Sequence, residues 1–136
     1  MTPPRGGALS PAQQGLALRA RFPTASARIT RGRLVWTGVL QPTPLSRAYT
    51  IRITCATDAH PRVVVAHPTL ASRPDEPLPH VYREGCLCLY EDGEWQPSMF
   101  IAETIVPWAC EWLAHYEIWK ATGHWCADGR APATPE

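Results

Sequence analysis

Apolar residues recur along this chain with two periods, which predict a leading helix, a group of strands and a closing helix. Residues 11–22 place Leu16, Ala20 and Phe22 among glutamines and arginines, a spacing that favours a short helix ending before Pro23. Three β-rich runs follow, at residues 28–40, 48–55 and 62–66.

The second run shows the strand pattern most clearly. Ile51, Ile53 and Cys55 alternate with polar residues, as in a strand that buries one face. Turn residues at 41–44 and 58–61 separate the runs, and such short separations predict an antiparallel meander of three to four strands. The proline-rich stretch that follows, at residues 71–79, predicts an irregular crossing segment.

A long closing helix is predicted over residues 107–121. Pro107 suits the first helical position, and Gly123 suits the position just beyond the end. Four aromatic residues recur at helical spacing, so they should share one stripe that faces the core: Trp108, Trp112, Tyr116 and Trp119.

The order of these elements predicts an α+β fold of one domain. The first stretch, residues 1–11, is rich in proline and glycine and predicts a mobile N-terminal arm. The domain should then occupy residues 12–129, with a flexible tail at residues 130–136.

Composition excludes several functions. The chain has 136 residues, with 13 basic and 12 acidic side chains and a net charge of +1, so it lacks the field that gathers nucleic acid or an anionic membrane. No apolar run has the length of a signal peptide or a membrane span. Five cysteines, an odd number, favour reduced thiols in the cytoplasm over a disulfide framework.

One segment carries the candidate chemistry, and it reads Leu78-Pro-His-Val-Tyr-Arg-Glu-Gly-Cys-Leu-Cys-Leu-Tyr90. It resembles the active-site stretch of ubiquitin-conjugating enzymes, in which a His-Pro-Asn triplet leads to a glycine, two residues and then the nucleophilic cysteine. Counted from Gly85, the nucleophile falls on Cys88, and Cys86 does not fit. The chain departs from the eukaryotic pattern because His80 stands where the family has asparagine.

The departure resembles the bacterial branch of the fold. That branch carries a histidine at this position and a tryptophan-rich helix that ends in Thr-Gly-x-Trp, which stands here at residues 122–125. The resemblance covers roughly residues 12–129 and is strongest over 78–129. Among freestanding bacterial relatives, the chain is similar to the small conjugating proteins of anti-phage CBASS operons.

This resemblance implies a UBC-like fold with an N-terminal helix, the meander, an active-site crossing segment and a long C-terminal helix. It implies that Cys88 forms a thioester with the C-terminus of a carrier protein and passes it to a lysine of a target protein. The carrier would be a CBASS cyclic-oligonucleotide synthase or a ubiquitin-like protein. A separate activating enzyme would spend ATP, because this chain has no glycine-rich nucleotide loop. No cofactor is needed for the transfer.

Side chains around Cys88 receive predicted roles. A thiol needs help to ionise near neutral pH, and His80 is the nearest basic side chain in the sequence. The resemblance gives His80 an oxyanion or positioning role first and a role as base second. A histidine that only caps the loop is the structural alternative. The site is predicted to be lined by Tyr82, Tyr90 and Asp92. Trp95 is predicted to pack under the loop that carries Cys88.

Other functions stay open at this point. A catalytically silent binding module of the same fold would keep the architecture and form no thioester. A structural zinc protein is a third alternative, in which Cys86 and Cys88 would supply two ligands and the rest would come from a set of four side chains: Cys110, Cys126, His80 or His124. A papain-like hydrolase would pair Cys88 with His80 or His115 and Asp92, although the flanking pattern of those families is absent.

Overall fold

The computed structural model describes residues 7–126, and it confirms the predicted α+β, UBC-like layout. The predicted tail at 130–136 and residues 1–6 of the predicted arm lie outside the described residues. A 3-10 turn at Ile101–Glu103 precedes the last helix. The elements in chain order are α1 (Pro11–Arg21), β1 (Ser26–Thr30), β2 (Arg33–Leu40), β3 (Tyr49–Ala56), β4 (Arg62–His67) and α2 (Ile105–Thr122).

The meander has four strands, because the run predicted at 28–40 divides into a hairpin. Arg31 and Gly32 form its two-residue turn, with φ angles of 54° and 74°. Positive φ at both positions is the geometry of a type I′ turn, which matches the twist of paired strands. The sequence predicts one run here because Gly32 is the only turn residue between the two strands.

The four strands lie in the order β1-β2-β3-β4, and each neighbouring pair is antiparallel. Alternate residues of β2 and β3 are buried, as the predicted half-buried pattern requires. Trp36 lies opposite Ile53, which in turn lies opposite Val63 on β4. These inward faces join the buried face of α2 in one hydrophobic core.

α1 begins with a capping box in which Ser10 and Gln13 hydrogen-bond to each other's backbone amides. The next residue, Gln14, is only 2% exposed. Its Nε2 donates to the Met99 carbonyl at 3.0 Å, and its Oε1 accepts from the Ile101 amide at 2.9 Å. Since both partners lie just before α2, this one side chain joins the first helix to the start of the last.

α2 begins at Ile105, two residues before the predicted start, with Thr104 as its N-cap. Pro107 therefore occupies the third helical position, still within the first turn, where a missing N–H costs little. Gly123 ends the helix with φ 83°, as predicted. The aromatic stripe faces the core: Trp112, Tyr116 and Trp119 are buried, and Trp108 packs partly buried against them.

The irregular crossing segment is attached to the C-terminal half of α2. The Ala71 amide donates to the Tyr116 hydroxyl at 2.8 Å, and the Arg73 guanidinium donates to the Lys120 carbonyl at 2.9 Å. These bonds fix the route by which the chain returns from β4 to the candidate site. No helix among residues 7–126 has the length and apolar character that crossing a bilayer requires.

Candidate active site

Cys88 lies at the end of a small hairpin that follows the crossing segment. Val81 and Leu87 form its isolated antiparallel bridge. The Tyr82 amide donates to the Cys86 carbonyl at 2.8 Å, and the Cys88 amide donates to the His80 carbonyl at 2.9 Å. These two hydrogen bonds between the arms of the hairpin flank the Val81–Leu87 pair and fix the register of the hairpin. Cys88 therefore has a defined position.

The hairpin turns at Gly85. Its amide donates to the Tyr82 carbonyl at 2.8 Å, and its φ is 95°, a conformation that glycine adopts without a steric penalty. This explains physically why a glycine precedes the candidate nucleophile by three positions. Without it, the chain could not reverse this tightly between His80 and Cys88.

The second arm of the hairpin runs along the sheet edge. The Leu87 amide donates to the carbonyl of Val63 on β4 at 2.8 Å. Leu87 and Leu89 are buried, whereas Cys88 and Tyr90 are partly exposed. The alternation anchors the segment through its leucines and turns Cys88 and Tyr90 toward the other face.

Tyr82 is the side chain that the structure brings to Cys88. Tyr82 is opposite Cys86 in the hairpin, which makes Cys88 its diagonal neighbour on the same face. Its interaction with the Cys88 side chain, then burial and the charges of Cys88, Asp92 and Glu84, together raise the pKa of Tyr82 to about 12. The half-exposed Tyr82 is therefore protonated at neutral pH and keeps an O–H that can donate.

The backbone of His80 contributes more visibly to this geometry than its ring. The residue has a left-handed conformation, with φ 58°. Its carbonyl accepts from the Cys88 amide and also from Nε1 of Trp112 at 3.0 Å. One oxygen thus links the candidate nucleophile to the buried face of α2.

The ring of His80 packs against Trp125, with the ring centres 4.9 Å apart. Burial and the nearby His115 lower the pKa of His80, so the imidazole is neutral at pH 7. The ring of His115 also lies near Trp125, at 5.9 Å, and its Nδ1 is buried without a hydrogen-bond partner in the structure. Both imidazoles therefore belong to a cluster under the C-terminal segment.

Tyr90 belongs to a second aromatic group, which includes a residue that the sequence did not single out. The Tyr90 hydroxyl is 2.8 Å from Nδ1 of His60, and the two rings stack with centres 5.9 Å apart. His60 lies in the turn between β3 and β4, at residues 58–61, where the sequence indicated only a turn. No local pattern predicts the pair, because the two residues are 30 positions apart.

Trp95 is 2% exposed and donates from Nε1 to the Thr104 hydroxyl at 3.1 Å. Its ring lies 6.4 Å from Tyr90 and so packs under the segment that carries Cys88. Asp92 lies in an exposed turn and contributes charge to the surroundings of Tyr82 and Tyr90.

The zinc and hydrolase alternatives gain no geometric support. Among residues 7–126, no three His, Cys, Asp or Glu side chains are grouped so that they could hold a metal ion. Cys86 is buried and Cys126 is exposed. The imidazoles considered for a hydrolase, His80 and His115, pack on Trp125, and Asp92 is in a surface turn.

The family model described as Type II CBASS E2 protein matches residues 14–132, which include the hairpin, the aromatic groups and α2. No curated protein matches the chain.

Proposed function

This chain belongs to the Type II CBASS E2 protein family, and we propose from that membership that Cys88 carries an acyl group as a thioester and transfers it to an amine. Membership gives the protein an E2-like conjugating role in CBASS, a bacterial antiviral defence. The observation that carries the proposal is the position of Cys88 as the partly exposed thiol of a hairpin whose register is fixed by backbone hydrogen bonds, with Tyr82 as its diagonal neighbour.

The first step loads Cys88. Its sulfur attacks the carbonyl carbon of a carrier C-terminus that a separate activating enzyme holds as a thioester. A new carbon–sulfur bond forms, the bond to the enzyme's sulfur breaks, and the thiol proton of Cys88 ends on the departing sulfur. Because thioester replaces thioester, no ATP is consumed at this step.

The second step releases the acyl group. The amine of a target lysine attacks the carbonyl carbon, a carbon–nitrogen bond forms, and the carbon–sulfur bond to Cys88 breaks. The nitrogen loses a proton, and the Cys88 sulfur gains one as it returns to the thiol. The product is an isopeptide bond between the carrier C-terminus and the target.

Two residues support these steps. Tyr82, the diagonal neighbour of Cys88, offers a protonated hydroxyl that can donate to negative charge on the departing or attacking sulfur. His80 positions Cys88 through its backbone carbonyl. A neutral His80 imidazole retains one N–H that can donate to an oxyanion, which keeps the oxyanion role ahead of the role as base.

The partners follow from the chemistry and the family. The carrier supplies a free C-terminal carboxyl group, either from a CBASS cyclic-oligonucleotide synthase or from a ubiquitin-like protein. A silent binding module of the same fold is the second candidate function. Retention of Cys88 in a motif with its own hydrogen-bond donor, Tyr82, favours the active protein.

The test is co-expression with neighbouring genes, followed by gels run with and without reducing agent. We expect wild type to form an adduct that a thiol reductant removes, and Cys88→Ser to form an ester that resists the reductant. Cys86→Ser is the matched control, because Cys86 lies two residues away but is buried, at 7% exposure.

Outcomes divide the candidate functions. An adduct lost or trapped in Cys88→Ser and unchanged in Cys86→Ser supports acyl transfer. An adduct that depends equally on both cysteines would contradict the assignment of the nucleophile. No adduct with any neighbouring protein would favour the silent binding module.

A further inference from the structure

His60 is an imidazole beside the candidate site that the two steps above leave without a role. It is exposed to solvent, unlike His80, which is 8% exposed and packs against Trp125. The His60 ring stacks on Tyr90 at 5.9 Å and lies 5.5 Å from Trp95. The β3–β4 turn thereby holds this imidazole over the segment that carries Cys88.

Tyr90 connects His60 to the reaction centre. Leu89, which lies between Cys88 and Tyr90 in the sequence, is buried. Cys88 and Tyr90 therefore project from the same side of the extended segment. The Tyr90 hydroxyl is already bonded to Nδ1 of His60 at 2.8 Å. A phenol held in this way can accept a proton on its oxygen while it gives its own proton to the imidazole.

The charges around Tyr90 agree with this arrangement. Burial, followed by negative charge at Tyr82, Cys55, Cys88 and Asp92, raises the pKa of Tyr90 to about 12. The phenol thus remains protonated at neutral pH, as a proton carrier must.

We propose that Tyr90 and His60 form a proton relay for the second step, in which Tyr90 contacts the attacking amine and His60 is the final acceptor. This proposal rests on the proposed function and identifies the residues that accept the proton of the attacking amine. His60 does not contact the amine itself. It positions Tyr90 and accepts the proton that Tyr90 passes on.

The relay balances. As the amine nitrogen bonds to the thioester carbon, one of its protons passes to the Tyr90 oxygen, and the Tyr90 proton passes to Nδ1 of His60. The carbon–sulfur bond breaks and leaves Cys88 as a thiolate, which takes a proton from water. The imidazolium of His60 returns its proton to water, because the side chain is exposed. No oxidant or other co-reactant is needed.

The experiment separates loading from release. Full-length protein carrying Cys126→Ser, which removes the exposed thiol, is loaded at Cys88 with a glycine-terminated peptide supplied as its mercaptoethanesulfonate thioester. The isolated thioester is mixed with free lysine, and intact mass follows amide formation. We expect His60→Ala and Tyr90→Phe to slow amide formation roughly tenfold or more and to change loading less than about twofold.

A structural role and a relay predict different results for three further measurements. Added imidazole should restore His60→Ala and leave Tyr90→Phe slow. His60→Asn, which keeps a hydrogen-bonding group for Tyr90 but accepts no proton, should remain slow. The double variant should be no slower than Tyr90→Phe, because the two residues act as one unit.

Controls keep the inference falsifiable. His67→Ala, which removes another exposed histidine from the end of β4, should behave as wild type. Amide formation at the wild-type rate in His60→Ala, full rescue by His60→Asn, or additive effects in the double variant would each overturn the relay. Wild type that loads at Cys88 but never acylates lysine would instead overturn the proposed function itself, and the relay with it.

Discussion

Replacement of Gln14 by leucine tests whether a single amide holds the two helices together. Leucine has a similar size but removes the donor to the Met99 carbonyl and the acceptor for the Ile101 amide. Each buried backbone group left without a partner costs about 1–3 kcal/mol. A more apolar side chain returns about 1 kcal/mol. We therefore expect the free energy of unfolding to fall by about 1–5 kcal/mol, a large part of the 5–15 kcal/mol typical of a domain.

Urea unfolding with linear extrapolation measures this loss. Gln13→Leu is the matched control, since the neighbouring glutamine is exposed and contributes only to the capping box, for which we expect a loss of about 1 kcal/mol or less. If Gln14→Leu lost less than about 1 kcal/mol, or no more than the control, the two bonds would not contribute as argued.

Two further predictions concern packing and pH. A Cβ on Gly38 would overlap the Trp36 indole, so Gly38→Ala should lower the free energy of unfolding in urea by about 1–3 kcal/mol or more. Val39→Ala, at an exposed position, is the control and should lower it little. Equal losses in the two variants would contradict the clash. Burial and His115 lower the pKa of His80, so this imidazole binds a proton less readily in the folded protein than in the unfolded chain. The contribution of His80 to stability should be full above about pH 6.5 and should fall as the pH drops below that value. His80→Gln should reduce the loss of stability between pH 7.5 and 5, and an unchanged loss would show that His80 is not its source.

The regular elements were predictable because their signals are local. Alternation in β3 and the aromatic spacing in α2 each report which face is buried, and both are confirmed. The sequence predicts a single run across the β1–β2 hairpin because strand residues continue through it and Arg31 is an uncommon turn residue. The predicted start of α2 is wrong by two residues because proline is acceptable throughout the first turn of a helix.

The candidate site was predictable only in part. The resemblance places a glycine three positions before Cys88, but the hairpin that turns at Gly85 was not predicted and is seen only in the structure. Contacts between distant segments leave no comparable trace. His60 reaches Tyr90 only because the β3–β4 turn lies beside the segment that follows Cys88. The roles assigned to Cys88 and His80 remain predictions until loading is measured.

The left-handed backbone at His80 has an evolutionary consequence. Few residues tolerate a φ of 58°, and those most enriched there, apart from glycine, are asparagine, aspartate and histidine. That short set contains both the asparagine of the eukaryotic conjugating enzymes and the histidine found here. The carbonyl that meets Cys88 and Trp112 can therefore keep its place while the side chain is exchanged. A change of side chain at this position therefore need not rebuild the loop that presents Cys88.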